Sequence, residues 1–327
     1  MTDIAATAAF SDTTAARSRH TRGLRRLTYA AGALVVLAAV SQQFGSAFAA
    51  QLFSDVGAAG VVTLRLVLAA AVLLVLVRPK VRGYGSGDWL TVVAFGVALA
   101  GLNTLFYEAI ARIPLGPAVT FEILGPLLLS VLISRRWGSL AWAVLAFGGV
   151  AMLGGGPGGV AMDPTGIAYA LGAGAMWAAY TLLSKRAGGR FPGMDGLALA
   201  MAFGALLTLP RGVASAGTTL VEPPVLLVGL AVALMSSVLP YGLELLSLRT
   251  LKPSTFAVLL SLNPVLAAIA GYLVLTQSLT TPQLIGMVLV AGATIGALRG
   301  TSPRTRGSQA QHVQRIVRGR RDAEASY

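Results

Sequence analysis

Apolar residues in this chain do not alternate with polar ones. They come in runs of roughly 20 residues separated by short polar breaks. A helix of that length, at about 1.5 Å per residue, spans the hydrocarbon core of a bilayer. Ten such runs can be read, at about 29–50, 58–77, 89–111, 114–133, 138–154, 164–184, 194–209, 225–247, 253–275 and 282–299, the fifth and seventh being short. Residues 1–28 and 300–327 are polar and poor in apolar side chains, which predicts two disordered tails. The pattern predicts an all-α polytopic membrane protein with ten transmembrane helices. The first run has a basic start and a small-residue end, "AFA", like a signal peptide. Its length, its two glutamines Gln42 and Gln43 and the helix that follows at once favour a retained span.

Composition sharpens this picture. Apolar residues make up 55% of the 327 and charged residues only 11%, less than half the share of an ordinary soluble domain. The chain has no cysteine, and its two histidines, His20 and His312, lie in the tails. Thiolate and histidine metal sites within the spans are thereby excluded, and no metal or cofactor is expected. A formal net charge of +13 raises the question of nucleic acid, but the basic residues form no reading face.

Instead they mark topology. Arg17, Arg19, Arg22, Arg25 and Arg26 precede the first run. Arg78, Lys80 and Arg82, then Arg135 and Arg136, then Lys185, Arg186 and Arg190, then Arg249 and Lys252 occupy alternate loops. Seven more arginines fall between Arg299 and Arg321. The opposite loops hold only Arg112 and Arg211. The positive-inside rule then puts both termini in the cytoplasm. The basic C-terminal tail reads as a topology anchor that touches anionic lipid of the bilayer.

The chain also repeats itself. "YEAIARIPLGPAVTFEILGP" at 107–126 is similar to "LELLSLRTLKPSTFAVLLSLNP" at 243–264. Glu244 follows Glu108 by 136 residues, Arg249 follows Arg112 by 137 and Pro264 follows Pro126 by 138. Two units result, 29–154 and 164–299, with five spans each. An odd number of spans inverts the second unit relative to the first, as in many secondary transporters.

Charge inside a span is costly and faces a bundle interior or a wet cavity. Arg65 and Glu122 are the two clear cases. Both lie seven or eight residues from the outer surface, roughly 10–12 Å deep, and Gln43 and Asn103 fall near the same level. The four groups predict either a shared cavity or, for Arg65 and Glu122, a structural ion pair. Pro126 and Pro264 deprive the carbonyls of Glu122 and Leu260 of their helical N–H partners, and Pro240 does the same for Ser236. Broken helices at matching places in two halves point to a transport site. Glu108 and Glu244 read first as interfacial residues and second as ligands. Trp177 and Tyr180 read equally as pathway lining and as packing.

At these residues the chain resembles the drug/metabolite transporter superfamily, with its two five-helix EamA-type repeats. More narrowly it resembles the bacterial threonine/homoserine exporters. The stretches that carry the resemblance include "SQQFGSAFA", "GVVTLRLVL", "GLNTLFYEAIARIPLGPAVTFEILGPL", "GAGAMWAAYTLLSKRAG" and "LPYGLELLSLRTLKPSTFAVLLSLNP". The resemblance implies efflux of a small amino acid across the inner membrane, driven by an ion gradient. Gln43, Arg65, Asn103, Glu122, Trp177, Tyr180, Tyr241 and Glu244 sit where similar residues occur in those exporters. The expected substrate site is Gln43, Arg65, Asn103, Glu122, Trp177, Tyr180, Tyr241 and Asn263, with a proton as the expected coupling ion and Glu122 and Glu244 as its candidate carriers. An enzyme would need a nucleophile–base set or a metal cluster within the spans, and the sequence offers none. Two departures stand out. Asn263 replaces the Glu usual before the proline, and Gln277 replaces an acidic residue. An exporter of aromatic amino acids or cationic drugs, or a non-transporting membrane scaffold, would use the same spans.

Overall fold

The computed structural model describes residues 29–134, 137–153, 162–248, 250–251 and 253–300. The expected tails, apart from Gly300, and the loop residues Arg135, Arg136, Arg249 and Lys252 lie outside the described residues. Among the described residues the architecture is entirely helical, without strands. Seven helices are long and apolar enough to cross a bilayer: Tyr29–Gln51, Phe53–Val77, Ser86–Ile110, Pro164–Gly188, Asp195–Val221, Pro223–Glu244 and Val258–Leu275. The segments expected at 114–133, 138–154 and 282–299 are shorter apolar helices or are interrupted.

In chain order the helices are α1 (Tyr29–Gln51), α2 (Phe53–Val77), α3 (Ser86–Ile110), α4 (Leu115–Glu122), α5 (Leu124–Ser134), α6 (Trp137–Leu153) and α7 (Pro164–Gly188). Then follow α8 (Asp195–Ala216), α9 (Pro223–Ala233), α10 (Leu239–Leu248), α11 (Pro253–Leu260), α12 (Asn263–Leu275) and α13 (Thr281–Gly300). Their ends follow from local chemistry. Asp163 caps α7 by accepting the Thr165 N–H at 2.9 Å, and Pro164 fills the first turn, where its missing N–H costs nothing. Asp88 reaches back to the Gly85 N–H at 3.1 Å at the start of α3. Gly57 takes φ 68°, which kinks the N-terminal part of α2, so the regular helix begins at residue 58.

Three interruptions sit inside expected spans. Ile123 separates α4 from α5, three residues before Pro126. Ser261 and Leu262 separate α11 from α12, just before Pro264. Leu234–Val238 forms a π-turn between α9 and α10, ahead of Pro240. In each case proline removes the donor that would have continued the α-helical ladder.

The helices pack in a recurring set of pairs. α2 lies on α8 and α6 on α13. α3 lies on α7 and α8, α9 lies on α2, and α4 lies on α12. α1 meets the π-turn, where Ser41 Oγ donates to the Met235 carbonyl at 2.7 Å. Backbones touch where neither helix has a side chain. A Cβ on Gly149 would lie 2.7 Å from the Gly286 carbonyl oxygen, and one on Gly286 would lie 2.6 Å from that of Gly149. Membrane helices without a hydrophobic drive to associate gain packing through such close approach.

Candidate substrate site

The site begins with a missing N–H. Pro240 cannot donate to the Ser236 carbonyl, and the π-turn leaves that carbonyl facing α2. Arg65 of α2 fills the vacancy, donating from Nη2 to Ser236 O at 2.7 Å. Its Nε donates to Ser237 Oγ at 2.9 Å and its Nη1 to the Tyr107 hydroxyl of α3 at 3.1 Å. The guanidinium carbon also stands 5.5 Å from the Tyr107 ring centroid, within cation–π range. Arg65 is 5% exposed and Tyr107 fully buried. Five N–H groups radiate from a guanidinium, and among the described residues three are used here and two are not.

Glu122 ends α4 at the Ile123 break and is half-buried. It does not form an ion pair with Arg65. The ion pairs among the described residues are Arg112–Glu108, Arg190–Asp88 and Arg211–Glu108. Tyr241 and Glu244 lie three residues apart on α10, both partly buried.

The freed Glu122 carbonyl meets a helix. A Cβ on Gly174 of α7 would lie 2.6 Å from Glu122 O, and one on Gly125 would lie 1.8 Å from Gly174 O. α5 and α7 thus cross through two glycines, and the break carrying Glu122 is wedged against α7.

The neutral groups divide. Gln43 and Asn263 are each 3% exposed, and their side-chain oxygens, Oε1 and Oδ1, have no hydrogen-bond partner among the described residues, an arrangement that is costly for a buried acceptor. Gln43 lies beside Ser41 and Gly45, the α1 residues that touch the π-turn. Asn263 opens α12 directly before Pro264. Asn103, 4% exposed, turns its Nδ2 back to the Leu99 carbonyl of its own helix at 2.8 Å. Trp177 is half-buried against the core, and the Tyr180 ring packs on Phe95 with centroids 5.2 Å apart. Among the described residues no three His, Cys, Asp or Glu gather as a metal site.

Ser237 and Tyr107, which the sequence reading passed over, hold Arg65 together with the Ser236 carbonyl that Pro240 was expected to free; the signal was a serine pair standing in an apolar run just before a proline. Gln277 has a role too. Its Oε1 accepts the Leu115 N–H at 3.0 Å, capping α4 from the α12–α13 connection.

Residues 164–299 match the EamA-like transporter family. The threonine/homoserine exporter RhtA of Escherichia coli (strain K12) is 39% identical over 265 residues, spanning 81% of this chain and 90% of that protein. The threonine/homoserine exporter RhtA of Salmonella typhimurium (strain LT2) is 39% identical over 268 residues, with the same coverage. A crystal structure of a protein only 20% identical superposes with a TM-score of 0.56, covering 84% of this chain and 99% of the other, a likeness of fold alone.

Proposed function

Because the chain belongs to the EamA-like transporter family of membrane proteins, we propose that it exports small zwitterionic amino acids, threonine or homoserine among them, by alternating access. The observation that carries this reading is the setting of Arg65. A buried guanidinium is anchored on three sides and, among the described residues, keeps two N–H groups free and forms no ion pair with a carboxylate. A substrate carboxylate takes the free N–H groups in a charge-assisted pair. The substrate ammonium goes to Glu122, and Gln43 Oε1 and Asn263 Oδ1 accept from the remaining donors.

The two units 29–154 and 164–299 act as inverted repeats in this scheme. The packing supports it: exchanging the units leaves the pairs α2–α8 and α6–α13 unchanged and turns α3–α8 into α9–α2, while α4–α12 becomes α11–α5. The helix breaks support it too, since Ile123 and Ser261 each fall three residues before a proline. α4 packs on α12, whereas among the described residues α5 and α11 have no comparable contact. With both termini cytoplasmic in a bacterial inner membrane, this is a state closed to the outside. Opening then exchanges the α4–α12 seal for one between α5 and α11.

A proton couples the cycle through Glu122, with Glu244 as its relay toward the cytoplasm. Everted membrane vesicles test the reading. Wild-type vesicles take up labelled threonine or homoserine on imposing a proton gradient, and Arg65→Gln vesicles do not. Uptake by Arg65→Gln at the wild-type rate would refute the substrate site.

A further inference from the structure

One charged cluster lies outside the site described above. Glu108, near the end of α3, accepts from Arg112 Nη1 at Oε2, at 2.7 Å, and from Arg211 Nη2 of α8 at Oε1, at 2.8 Å. Arg112 and Arg211 are the two basic residues of the face opposite the basic loops, and both converge on one carboxylate. They line a cavity of about 470 Å³ together with Phe53, Ala58 and Ser215.

The two arginines differ. Arg112 is held on several sides, since its Nη1 also donates to the Glu108 carbonyl at 2.7 Å and its guanidinium lies 4.9 Å from the Tyr169 ring. Arg211 makes a single hydrogen bond among the described residues and its side chain is 63% exposed. Most of its fork is therefore free. Two cations on one carboxylate leave an excess of positive charge.

A moving latch between α3 and α8 is the obvious alternative, and the packing argues against it. A Cβ on Gly96 would lie 2.7 Å from the Ala200 carbonyl oxygen, and one on Gly204 would lie 3.1 Å from that of Gly96. The two helices are locked backbone to backbone, so the cluster is a fixture rather than a gate. The Glu108 side chain is only 12% exposed, unlike a freely solvated surface acid.

We propose that this outer cavity is a second, low-affinity binding site for free α-amino acids, with Arg211 taking the carboxylate and Glu108 the ammonium. Arg112 is a positioning residue that fixes Glu108. The site fills when amino acid accumulates outside, which holds product at the mouth of the exporter. The inference uses the membrane orientation of the preceding section but not its central site.

The chain has no cysteine, so a single reporter thiol is available by substitution. Ser215→Cys lines the cavity, and Ala59→Cys is a second reporter if the first does not insert. Intact cells are treated with a membrane-impermeant charged maleimide in the presence of increasing external L-threonine. Labelling is expected to slow, with half-protection in the millimolar range. Arg211→Gln raises the half-protecting concentration at least tenfold, Arg211→Lys raises it less, and Arg65→Gln leaves it unchanged. Protection that survives Arg211→Gln, protection lost in Arg65→Gln, or a thiol unreactive from outside at both positions would overturn the proposal. Export by Arg65→Gln at the wild-type rate, with protection intact, would instead remove the central site and leave this one.

Discussion

The crossing of α5 and α7 allows a sharp test of how tightly the Glu122 break is held. In Gly125→Ala the new methyl carbon would start 1.8 Å from the Gly174 carbonyl oxygen and 2.2 Å from its carbonyl carbon. Carbon–oxygen contacts settle above about 3.3 Å. The helices must therefore separate by more than 1 Å at the point where the backbone carries Glu122. Gly174→Ala is milder, its methyl starting 2.6 Å from Glu122 O and 3.2 Å from the Gly125 nitrogen. Overpacking of this kind costs about 1–3 kcal/mol, and the deeper overlap puts Gly125→Ala at or above the upper end. At roughly 2 °C per kcal/mol for a long chain, the apparent melting temperature of the purified protein falls by about 5 °C or more. Gly292→Ala is the control, because a Cβ there meets nothing within 4 Å. It is expected to be neutral, or stabilising by up to about 1 kcal/mol through helix propensity. Thermal unfolding in detergent and vesicle uptake read both quantities. If Gly125→Ala melts and transports like the wild type while Gly174→Ala is impaired, close glycine contact does not hold the break and the reasoning fails.

Other substitutions separate the roles assigned above. Arg65→Lys has three N–H donors, so serving the three acceptors leaves none for substrate, and it has no fork; half-saturation for threonine rises at least tenfold, measured as initial uptake into everted vesicles. Glu122→Gln abolishes uptake driven by a pH gradient while threonine exchange persists; unaltered gradient-driven uptake would assign the proton elsewhere. Gln277→Ala removes the cap on Leu115 and weakens the α4–α12 seal by about 1 kcal/mol, read as faster external labelling of a cysteine placed at Ala268.

Much of the architecture was legible because bilayers constrain sequence strongly. Apolar runs located several helices to within a few residues, α3, read at 89–111, lying at Ser86–Ile110, whereas the seventh, read at 194–209, runs on to Ala216. Proline chemistry was legible for the same reason: a residue with no N–H must orphan a carbonyl. The reading that Pro240 frees Ser236 has a structural counterpart in the Arg65 hydrogen bond to that oxygen. What the sequence could not carry was choice of partner. Arg65 and Glu122 were read at matched depth, which allowed either a shared cavity or an ion pair, and the guanidinium bonds to Ser236, Ser237 and Tyr107 rather than to Glu122. Depth comes from counting residues, whereas pairing depends on rotation about each helix axis and on the local unwinding at the π-turn. Asn103 shows the same limit, since its level was readable but its turn back to Leu99 was not.

The anchoring of Arg65 has a mechanical consequence. Its three acceptors come from α3 and from the junction of α9 and α10, so one side chain stitches α2 to two neighbours. Pulling any of them away would strand a cation in a low-dielectric interior, at a cost of several kcal/mol. In the alternating-access cycle proposed above those helices are the stator, and the rotor is sought among the segments where the helical ladder is already cut, at Ile123 and at Ser261–Leu262.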